Sequence, residues 1–489
     1  MAQEIAVATP VVPNALEYNE QESQPSRLQR RKFGAYLPPQ QGGPLTIVNN
    51  GVQNTTTITF MVGAQYFLDT EQSFFVMNAQ IQNQQDAPTG GGTNYAYLNP
   101  LSDSWLDQIT ISTGNGLQIE KITNAGTLAQ IMKRTMSYNY SSSIAKEALN
   151  LFDPFNDAND LASLCERSSQ NLRYVLEVRQ SDFLSNSYNL LPLRLMSLGN
   201  SASLKIEFVF GSFAQIATAF HDSYGDAYIS TGGVNQPPLQ VVFSNFNYVQ
   251  SLVQDDIKEQ QLMELVRTNP IVLSYKTHNH FQTNIPAGAT NLTINITEYQ
   301  ESVLSQHSRF IQQTNANQTF YDNTIFYNPN LVSTQTQIQP DYYPLQAINN
   351  LTWLAGIPSN SELYWQYVYT QEKEKCYEKG LSIGKYQKAT ITDVASQTQE
   401  VGTDLNANGV LTTDTDDFIL ANDFQVFPSD AVGPSEYIQF SSGLNLKANP
   451  NPIAINIQTG AGSVASIMDT YTTFIRSMVI QYNNVFIIS

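Results

Sequence analysis

The stretch LPLRLMSLGNSASLKIEFVFG, residues 191–211, contains the segment of the chain that indicates its fold most directly. From Leu204 to Phe210 every second residue is a large apolar one, and Lys205 and Glu207 lie between them. Because successive side chains of a strand point to opposite faces of a sheet, this alternation predicts a β-strand with one buried and one wet face.

Short runs of the same kind recur between Gly, Asn, Pro and Ser turns from Leu45 to the end of the chain. The predicted strands include TITFMVG (57–63), SFFVMNAQI (73–81), LDQITIS (106–112), YVLEVR (174–179), LQVVFSNFNYV (239–249), NLTINIT (291–297), PIAINIQ (452–458) and MVIQYNNVFIIS (478–489). Many short strands separated by turn residues are typical of a β-sandwich. The last of these runs is too apolar for a loose tail, so the C-terminus is expected to pair within a sheet.

Helical patterns are few. The clearest is QDDIKEQQLMELVRT (254–268), which has acids in its first turn and is stopped by Asn269-Pro270. Shorter helices are predicted around TLAQIMKRTM (127–136) and SSIAKEALNLF (142–152). The aromatic run SELYWQYVYT (361–370) is interpreted as a strand buried in a subunit interface, in preference to a platform for sugars or bases.

The composition bounds the class of protein. A chain of 489 residues is longer than a single hydrophobic core usually supports, so two domains with two cores are expected. Only 13% of the residues are charged, and the polarity comes from Asn, Gln, Ser and Thr, which suits wet contacts between subunits. The net charge of -18 argues against a surface that coats nucleic acid.

One basic cluster stands out on this acidic chain: Arg27, Arg30, Arg31 and Lys32 in the segment RLQRRK. It lies between a leader that contains Pro and Gln and the segment LPPQQGGP, so residues 1–45 are predicted to form an extended arm. Two interpretations stay open. The cluster is either a solvated basic tail or a contact with a partner, a membrane surface or nucleic acid.

The two cysteines, Cys165 and Cys376, are too few for a disulfide framework and are expected to be reduced and buried, one in each domain. No apolar stretch has the length of a transmembrane helix, and the first residues have no basic region of a signal peptide. The sequence therefore predicts a protein made inside the cell.

The two halves of the chain end alike. The first runs LPLRLMSLGNSASLKIEF, a loop and VVFSNFNYVQ; the second runs YIQFSSGLNLKANPNPIAINIQ, a loop and MVIQYNNVFIIS. With one helix joining the halves, this order resembles the double jelly-roll major capsid proteins of the lineage that includes adenovirus-like, virophage-like and large DNA viruses. The positions that match are Leu191, Pro192, Leu193 and Leu204 to Phe208.

The resemblance implies an all-β fold of two tandem jelly-roll β-sandwiches with a few short helices. Its expected parts are an N-terminal arm (1–45), a first jelly roll (46–253), a linking helix (254–269) and a second jelly roll (270–489). It also implies a virion protein that trimerises into pseudo-hexagonal capsomers of an icosahedral shell. Expected partners are its own copies, neighbouring capsomers, penton and minor capsid proteins, with the arm near an inner membrane or the genome.

Signatures of catalysis and metal binding are weak. His278 and His280 would share a strand face and make at most half of a metal site, so hydrogen-bonded or exposed strand residues are favoured. The loop from Asp404 to Asp416 matches the first half of a calcium loop but has Thr415 at the twelfth position, which favours a polar turn. No enzyme, cofactor or small-molecule substrate is expected. The alternative function is a β-sandwich adhesin or carbohydrate-binding protein, and a β-rich glycosidase is a distant third.

Overall fold

The computed structural model describes residues 30–49, 57–84, 96–133, 145–151, 161–185, 190–219, 238–313, 326, 328–329, 331–338, 340–349, 351, 361–373, 418–425, 443–447, 452–460, 463, 465–482 and 484–488. The strands of the first half are β1 (Arg30–Leu37), β2 (Leu45–Val48), β3 (Thr57–Gly63), β4 (Phe67–Gln82), β5 (Ala96–Leu98), β6 (Leu106–Thr113), β7 (Gln118–Thr123), β8 (Leu172–Leu176), β9 (Leu190–Pro192), β10 (Ala202–Phe210), β11 (Ala217–Ala219) and β12 (Gln240–Asp255). Those of the second half are β13 (Ile271–Ile285), β14 (Leu292–Ile296), β15 (Val303–Gln312), β16 (Leu331–Ile338), β17 (Asp341–Ile348), β18 (Ile419–Asp423), β19 (Ile453–Thr459), β20 (Ser466–Gln481) and β21 (Asn484–Ile488). The helices are α1 (Ala125–Lys133), α2 (Ala145–Ala148), α3 (Leu161–Ser169), α4 (Asp182–Ser185), α5 (Leu193–Ser197), α6 (Phe213–Ile216), α7 (Asp256–Thr268) and α8 (Ser361–Lys373).

The first half is a sandwich of two antiparallel sheets. One sheet has the order β1-β12-β4-β8, with β2 also paired to β12 and β9 to β4, and the other has the order β3-β10-β6-β7. The opening segment supplies β10, whose apolar positions are buried and whose Lys205 and Glu207 are half-buried, as predicted. Phe208 of β10 meets Phe75 of β4 with ring centroids 4.7 Å apart, so the two sheets share one core.

The second half repeats this construction. Its sheets have the orders β13-β20-β15-β18, with β21 paired to β20, and β14-β19-β16-β17. Alternation in PIAINIQ places Ile453, Ile455 and Ile457 on the buried face of β19, as predicted. The pairing of β21 with β20 confirms that the described end of the chain lies within a sheet.

Strand order is the same in the two halves when β1 and β2 are taken together as the first strand and the extra strands β5, β9, β11 and β21 are set aside. In each half one sheet has the order first-eighth-third-sixth and the other has the order second-seventh-fourth-fifth. Eight strands in two such sheets form a jelly roll. The chain therefore contains two tandem jelly rolls, as the sequence predicted.

The linking helix α7 follows β12 directly and ends just before β13. Asp255 caps it, because its Oδ1 accepts a hydrogen bond of 3.0 Å from the backbone N–H of Lys258. Leu262 and Val266, four residues apart, are the buried positions of the helix. The predicted helix of residues 254–268 is thus confirmed to within two residues.

The structure corrects the assignment of residues 30–37 to the N-terminal arm. They form β1, which pairs with β12 from Arg30 opposite Asp255 to Leu37 opposite Tyr248. Phe33, Ala35 and Leu37 are partly buried against the core. These three residues alternate with a period of two, which is typical of a strand. The arm was inferred instead from the basic and Pro-rich composition around them.

The interpretation of residues 361–370 as a strand was wrong, because Ser361–Lys373 is the helix α8. Its buried residues include Leu363, Tyr367, Val368 and Thr370. These four residues lie on one face of a helix. The helical pattern was missed because the segment is rich in aromatic residues, which are common in strands.

Candidate functional site: the seam between the rolls and the two exposed edges

The two rolls meet along a contact that we call the seam, between β7 and α4 of the first roll and β13 and β20 of the second. The seam residues are Ile119, Glu120, Asn124, Ser181, Asp182 and Phe183 of the first roll and Tyr275, Lys276, Thr277, His280, Asp469, Tyr471 and Arg476 of the second. The sequence predicted two separate cores, whereas the buried apolar residues of both rolls form one connected cluster.

Direct hydrogen bonds fix β13 against the first roll. The Tyr275 hydroxyl donates to the Ile119 carbonyl at 2.8 Å, and Arg476 Nη1 donates to the same oxygen at 3.2 Å. The backbone N–H of Lys276 donates to Asp182 Oδ2 at 2.8 Å. The ring of Phe183 packs edge-on against Tyr275, with centroids 5.1 Å apart. The edge of β13 is therefore closed by side chains of the first roll, where an open edge would be free to pair with another strand.

Glu120 is a fully buried carboxyl group in the seam. The Ser181 hydroxyl donates a hydrogen bond to its Oε2. Burial raises the pKa of Glu120 to about 7, against the lowering effects of the hydrogen bonds from Ser181 and Thr277 and of the Arg476 charge. Glu120 therefore changes its protonation state near neutral pH at the point where the two rolls touch.

Asp469 is buried in the seam as well, but it stays ionised. Burial by itself would raise its pKa, yet the Arg309 guanidinium at 3.0 Å and hydrogen bonds from His280 and Gln282, also at 3.0 Å, lower it to about 2. Asn124 of the first roll reaches the same carboxylate at 3.4 Å. The network thus couples a turn of the first roll to three elements of the second.

Tyr471 completes the network. Its hydroxyl donates to the Asn124 carbonyl at 2.8 Å, and its ring stacks on His280 with centroids 4.8 Å apart. Burial raises the pKa of Tyr471 well above its ordinary value. The hydroxyl is therefore a fixed donor, and a cross-roll hydrogen bond depends on it.

The histidines of THNHF are hydrogen-bonded strand residues, as the sequence favoured. His278 Nδ1 lies 3.1 Å from Thr473 Oγ1, and His280 Nε2 lies 3.0 Å from Asp469 Oδ1. Among the residues that the structure describes, no three His, Cys, Asp or Glu side chains are grouped to hold a metal ion. Cys165 is buried and is not part of a disulfide, as predicted, while Cys376 and the loop 404–416 lie outside the described residues.

The predicted basic cluster lies at the start of β1. Arg31 Nε donates to Gln254 Oε1 at 2.8 Å, and its guanidinium lies over the Phe33 ring at 5.1 Å. Lys32 Nζ forms an ion pair of 2.5 Å with Asp69 Oδ2. Arg30 pairs through its backbone with β12, and Arg27 lies outside the described residues. The structure thus brings Arg31 and Lys32 onto one exposed strand of the first roll.

Two edges of the paired rolls carry exposed apolar side chains. On β1, which lies at one end of its sheet, the side chain of Tyr36 is 70% exposed. On β17, which ends the other sheet of the second roll, Leu345 is 83% and Tyr342 41% exposed. These side chains make the two edge strands candidates for contact with another chain.

Sequence reasoning missed the seam and the exposed edge of β17. A signal for the seam was present, since Asp469 and Arg476 interrupt the apolar run of β20. A charge on a largely buried strand requires a partner, so the buried Asp469 and the half-buried Arg476 indicate a contact. The partners come from distant parts of the chain and cannot be read from local spacing.

Solved structures of capsid proteins are similar to this chain. A quasi-atomic model of the PBCV-1 virus capsid has a TM-score of 0.55 at 12% identity and covers 94% of this chain and 97% of that one. The PBCV-1 protein VP54, fitted into a reconstruction of the virophage Sputnik, has a TM-score of 0.51 at 13% identity and covers 94% and 98%. The mavirus major capsid protein covers 100% and 93% at 12% identity, with a TM-score of 0.46. No family model and no curated protein matches the chain.

The first two structures, together with the strand order of both rolls, define the fold class: the chain has the double jelly-roll fold found in these capsid proteins. In the described part of the chain no helix is long and apolar enough to cross a bilayer.

Proposed function

We propose that the chain is a major capsid protein, a structural subunit that trimerises into pseudo-hexagonal capsomers of an icosahedral viral shell. The observation that carries the proposal is the duplicated jelly roll, which matches the PBCV-1 capsid over 94% of the chain. The resemblance to double jelly-roll capsid proteins implies the trimer, since three copies with two rolls each make a pseudo-hexagonal capsomer.

The chemistry of the described surface supports a structural role. Asp469 and its neighbours hold parts of the chain together, because each carboxylate oxygen of Asp469 bonds to side chains of the protein itself. Three exposed apolar residues, Tyr36, Tyr342 and Leu345, lie on edge strands, which suits broad contacts with other copies of the chain. An adhesin or carbohydrate-binding protein is not favoured, since the two structures named above with a TM-score over 0.5 are those of virus capsid proteins.

The proposal places the protein in the virion, after synthesis inside the host cell. Its partners would be its own copies, neighbouring capsomers and the penton and minor capsid proteins. The basic cluster, formed by Arg27 and by Arg30, Arg31 and Lys32 at the start of β1, would contact a neighbouring capsomer, an inner membrane or the packaged genome. Lys32 is already paired with the Asp69 carboxylate, whereas Arg31 bonds to the neutral amide of Gln254, so Arg31 keeps more of its charge for a partner than Lys32 does.

Light scattering of the purified protein tests the oligomeric part of the proposal. The expected result is a mass of three chains of 54.5 kDa each at micromolar concentration. A stable monomer under these conditions contradicts the proposal, and assembly of the trimers into closed shells after concentration supports it.

A further inference from the structure

One short segment of the first roll carries a large part of the seam: residues 177–182, between the end of β8 and the start of α4, which we call the connecting segment. Its fully buried residues are Val178, Gln180 and Ser181. Its last residue, Asp182, accepts the hydrogen bond from the backbone N–H of Lys276 in β13, and the next residue, Phe183, packs on Tyr275. The position of this segment therefore decides how firmly the edge of β13 is held.

The backbone of the connecting segment is strained at Val178. Its φ of 56° lies in the left-handed region, which a β-branched residue rarely adopts. Such a conformation is costly and persists only where the surrounding structure holds it in place. Gln180 contributes to this hold, since its Nε2 donates to the carbonyls of Asp103 and Ala125 at 3.0 and 3.3 Å. When the groups around the segment hold it less firmly, the strain favours a different backbone path.

Two buried carboxyl groups hold the connecting segment from the side of the first roll. Asp103 lies in a short 3₁₀ helix before β6, is 1% exposed and faces the backbone N–H groups of Val178 and Arg179. Glu120 of β7 accepts the hydrogen bond from the Ser181 hydroxyl. Among the described residues, no donor reaches the other oxygen of Glu120, Oε1, or Oδ1 of Asp103. A buried oxygen without a donor suits a neutral carboxyl group and leaves a carboxylate poorly stabilised.

The surroundings of both carboxyl groups favour the neutral form up to about neutral pH. Burial is the largest cause, and it raises the pKa of Asp103 and of Glu120 to about 7. The titratable and charged groups that face them are Glu177 and Arg179 for Asp103, and Asp182, Tyr275 and Arg476 for Glu120. The two acids among these neighbours raise the pKa, the two arginines lower it, and burial keeps the tyrosine protonated.

We propose that the connecting segment is a proton-controlled switch between the two rolls: while Asp103 and Glu120 are neutral it is fixed and holds β13, and when both are ionised it loosens and weakens the seam. Ionisation adds two buried negative charges beside a segment that already carries Glu177 and Asp182, so repulsion adds to the cost of burial. The strain at Val178 then favours release. The inference concerns a contact inside one chain and does not depend on the proposed function.

Hydrogen–deuterium exchange of the full-length protein, read by peptide mass spectrometry at pH 6 and pH 8, tests the switch. Protection factors are compared, because they remove the pH dependence of the intrinsic exchange rate. In the wild type, peptides that cover residues 177–182 and 271–277 should lose at least about tenfold in protection at pH 8, whereas β10 should keep its protection. Unchanged protection of these peptides, or an equal loss in β10, overturns the inference.

A double variant assigns the effect to the two carboxyl groups. Asp103→Asn combined with Glu120→Gln removes both charges and keeps oxygens that accept the same hydrogen bonds, so protection should be equal at the two pH values. The matched control, Glu264→Gln with Glu362→Gln, removes two exposed carboxylates and should behave as the wild type does. A double variant that still loses protection at pH 8 overturns the inference.

The pH course of the wild type decides the question if the double variant does not fold. The loss of protection in the connecting segment should be centred at about pH 7, where both carboxyl groups ionise. A loss centred more than about one pH unit away from this value overturns the inference, because other groups then control the segment.

Discussion

Replacing Glu120 by Gln should make the protein more stable at high pH and leave it nearly unchanged at low pH. The pKa of Glu120 is raised from 4.5 to about 7 in the folded protein. The raised pKa means that the folded state binds the proton of Glu120 more tightly than the unfolded state does. Its contribution to the free energy of unfolding is therefore complete below pH 4.5 and is lost as the pH rises to about 7. A shift of this size at about 1.4 kcal/mol per pKa unit gives a loss of roughly 3 kcal/mol. Gln is neutral at every pH and can still accept the hydrogen bond from Ser181.

Urea unfolding of the wild type and Glu120→Gln at pH 5 and pH 8 measures this effect. The free energy of unfolding of the variant should exceed that of the wild type by roughly 3 kcal/mol at pH 8 and by under about 1 kcal/mol at pH 5. Glu264→Gln, on the exposed face of α7, controls for the loss of one negative charge and should show no such pH dependence. A difference that is the same at both pH values, or a variant less stable than the wild type at pH 8, would refute the reasoning.

Four further outcomes are expected. Asp469→Ala removes the carboxylate that lies 3.0 Å from the buried Arg309 guanidinium and should lower the free energy of unfolding by about 3–5 kcal/mol, as measured by urea unfolding at pH 7; an effect below about 1 kcal/mol contradicts the role given to the network. Phe208→Ala empties a site between the two sheets of the first roll and should cost about 3–5 kcal/mol in the same assay, whereas Tyr299→Ala should cost little. A variant in which Gln replaces the basic cluster, Arg27, Arg30, Arg31 and Lys32, should still form the trimer but should assemble into shells less well. In the wild type, the contact made by this cluster should weaken at high salt, because salt screens charges. Equal assembly of variant and wild type at all ionic strengths would show that the cluster has no partner. Limited proteolysis should cut before β1 and in loops while fragments of the size of each roll persist, and early cleavage throughout both rolls would contradict two folding units joined by the linking helix.

Strand alternation made much of the fold predictable. The period of two in Leu204 to Phe210 and in the Ile residues of β19 is local, so it identifies the strand and its buried face without knowledge of the partner strands. The linking helix was predictable for the same reason, since Asp255 at its start and Asn269-Pro270 at its end are local signals.

The seam was not predictable, because its bonds join parts of the chain that are far apart in sequence. Tyr275 donates to Ile119, and Arg309 and Asn124 meet at Asp469. Local patterns also misled where two signals competed, as in α8, where aromatic residues typical of strands occupy helical positions. The sequence alone likewise placed the basic cluster in an arm, whereas pairing with β12 puts Arg31 and Lys32 on the edge of a roll.

Electron microscopy of the purified full-length protein tests the central claim most directly, which is that two tandem jelly rolls build a trimeric capsomer. The account predicts particles with three-fold symmetry and a six-lobed outline. Isolated two-lobed particles, or assemblies with two-fold symmetry, would contradict it.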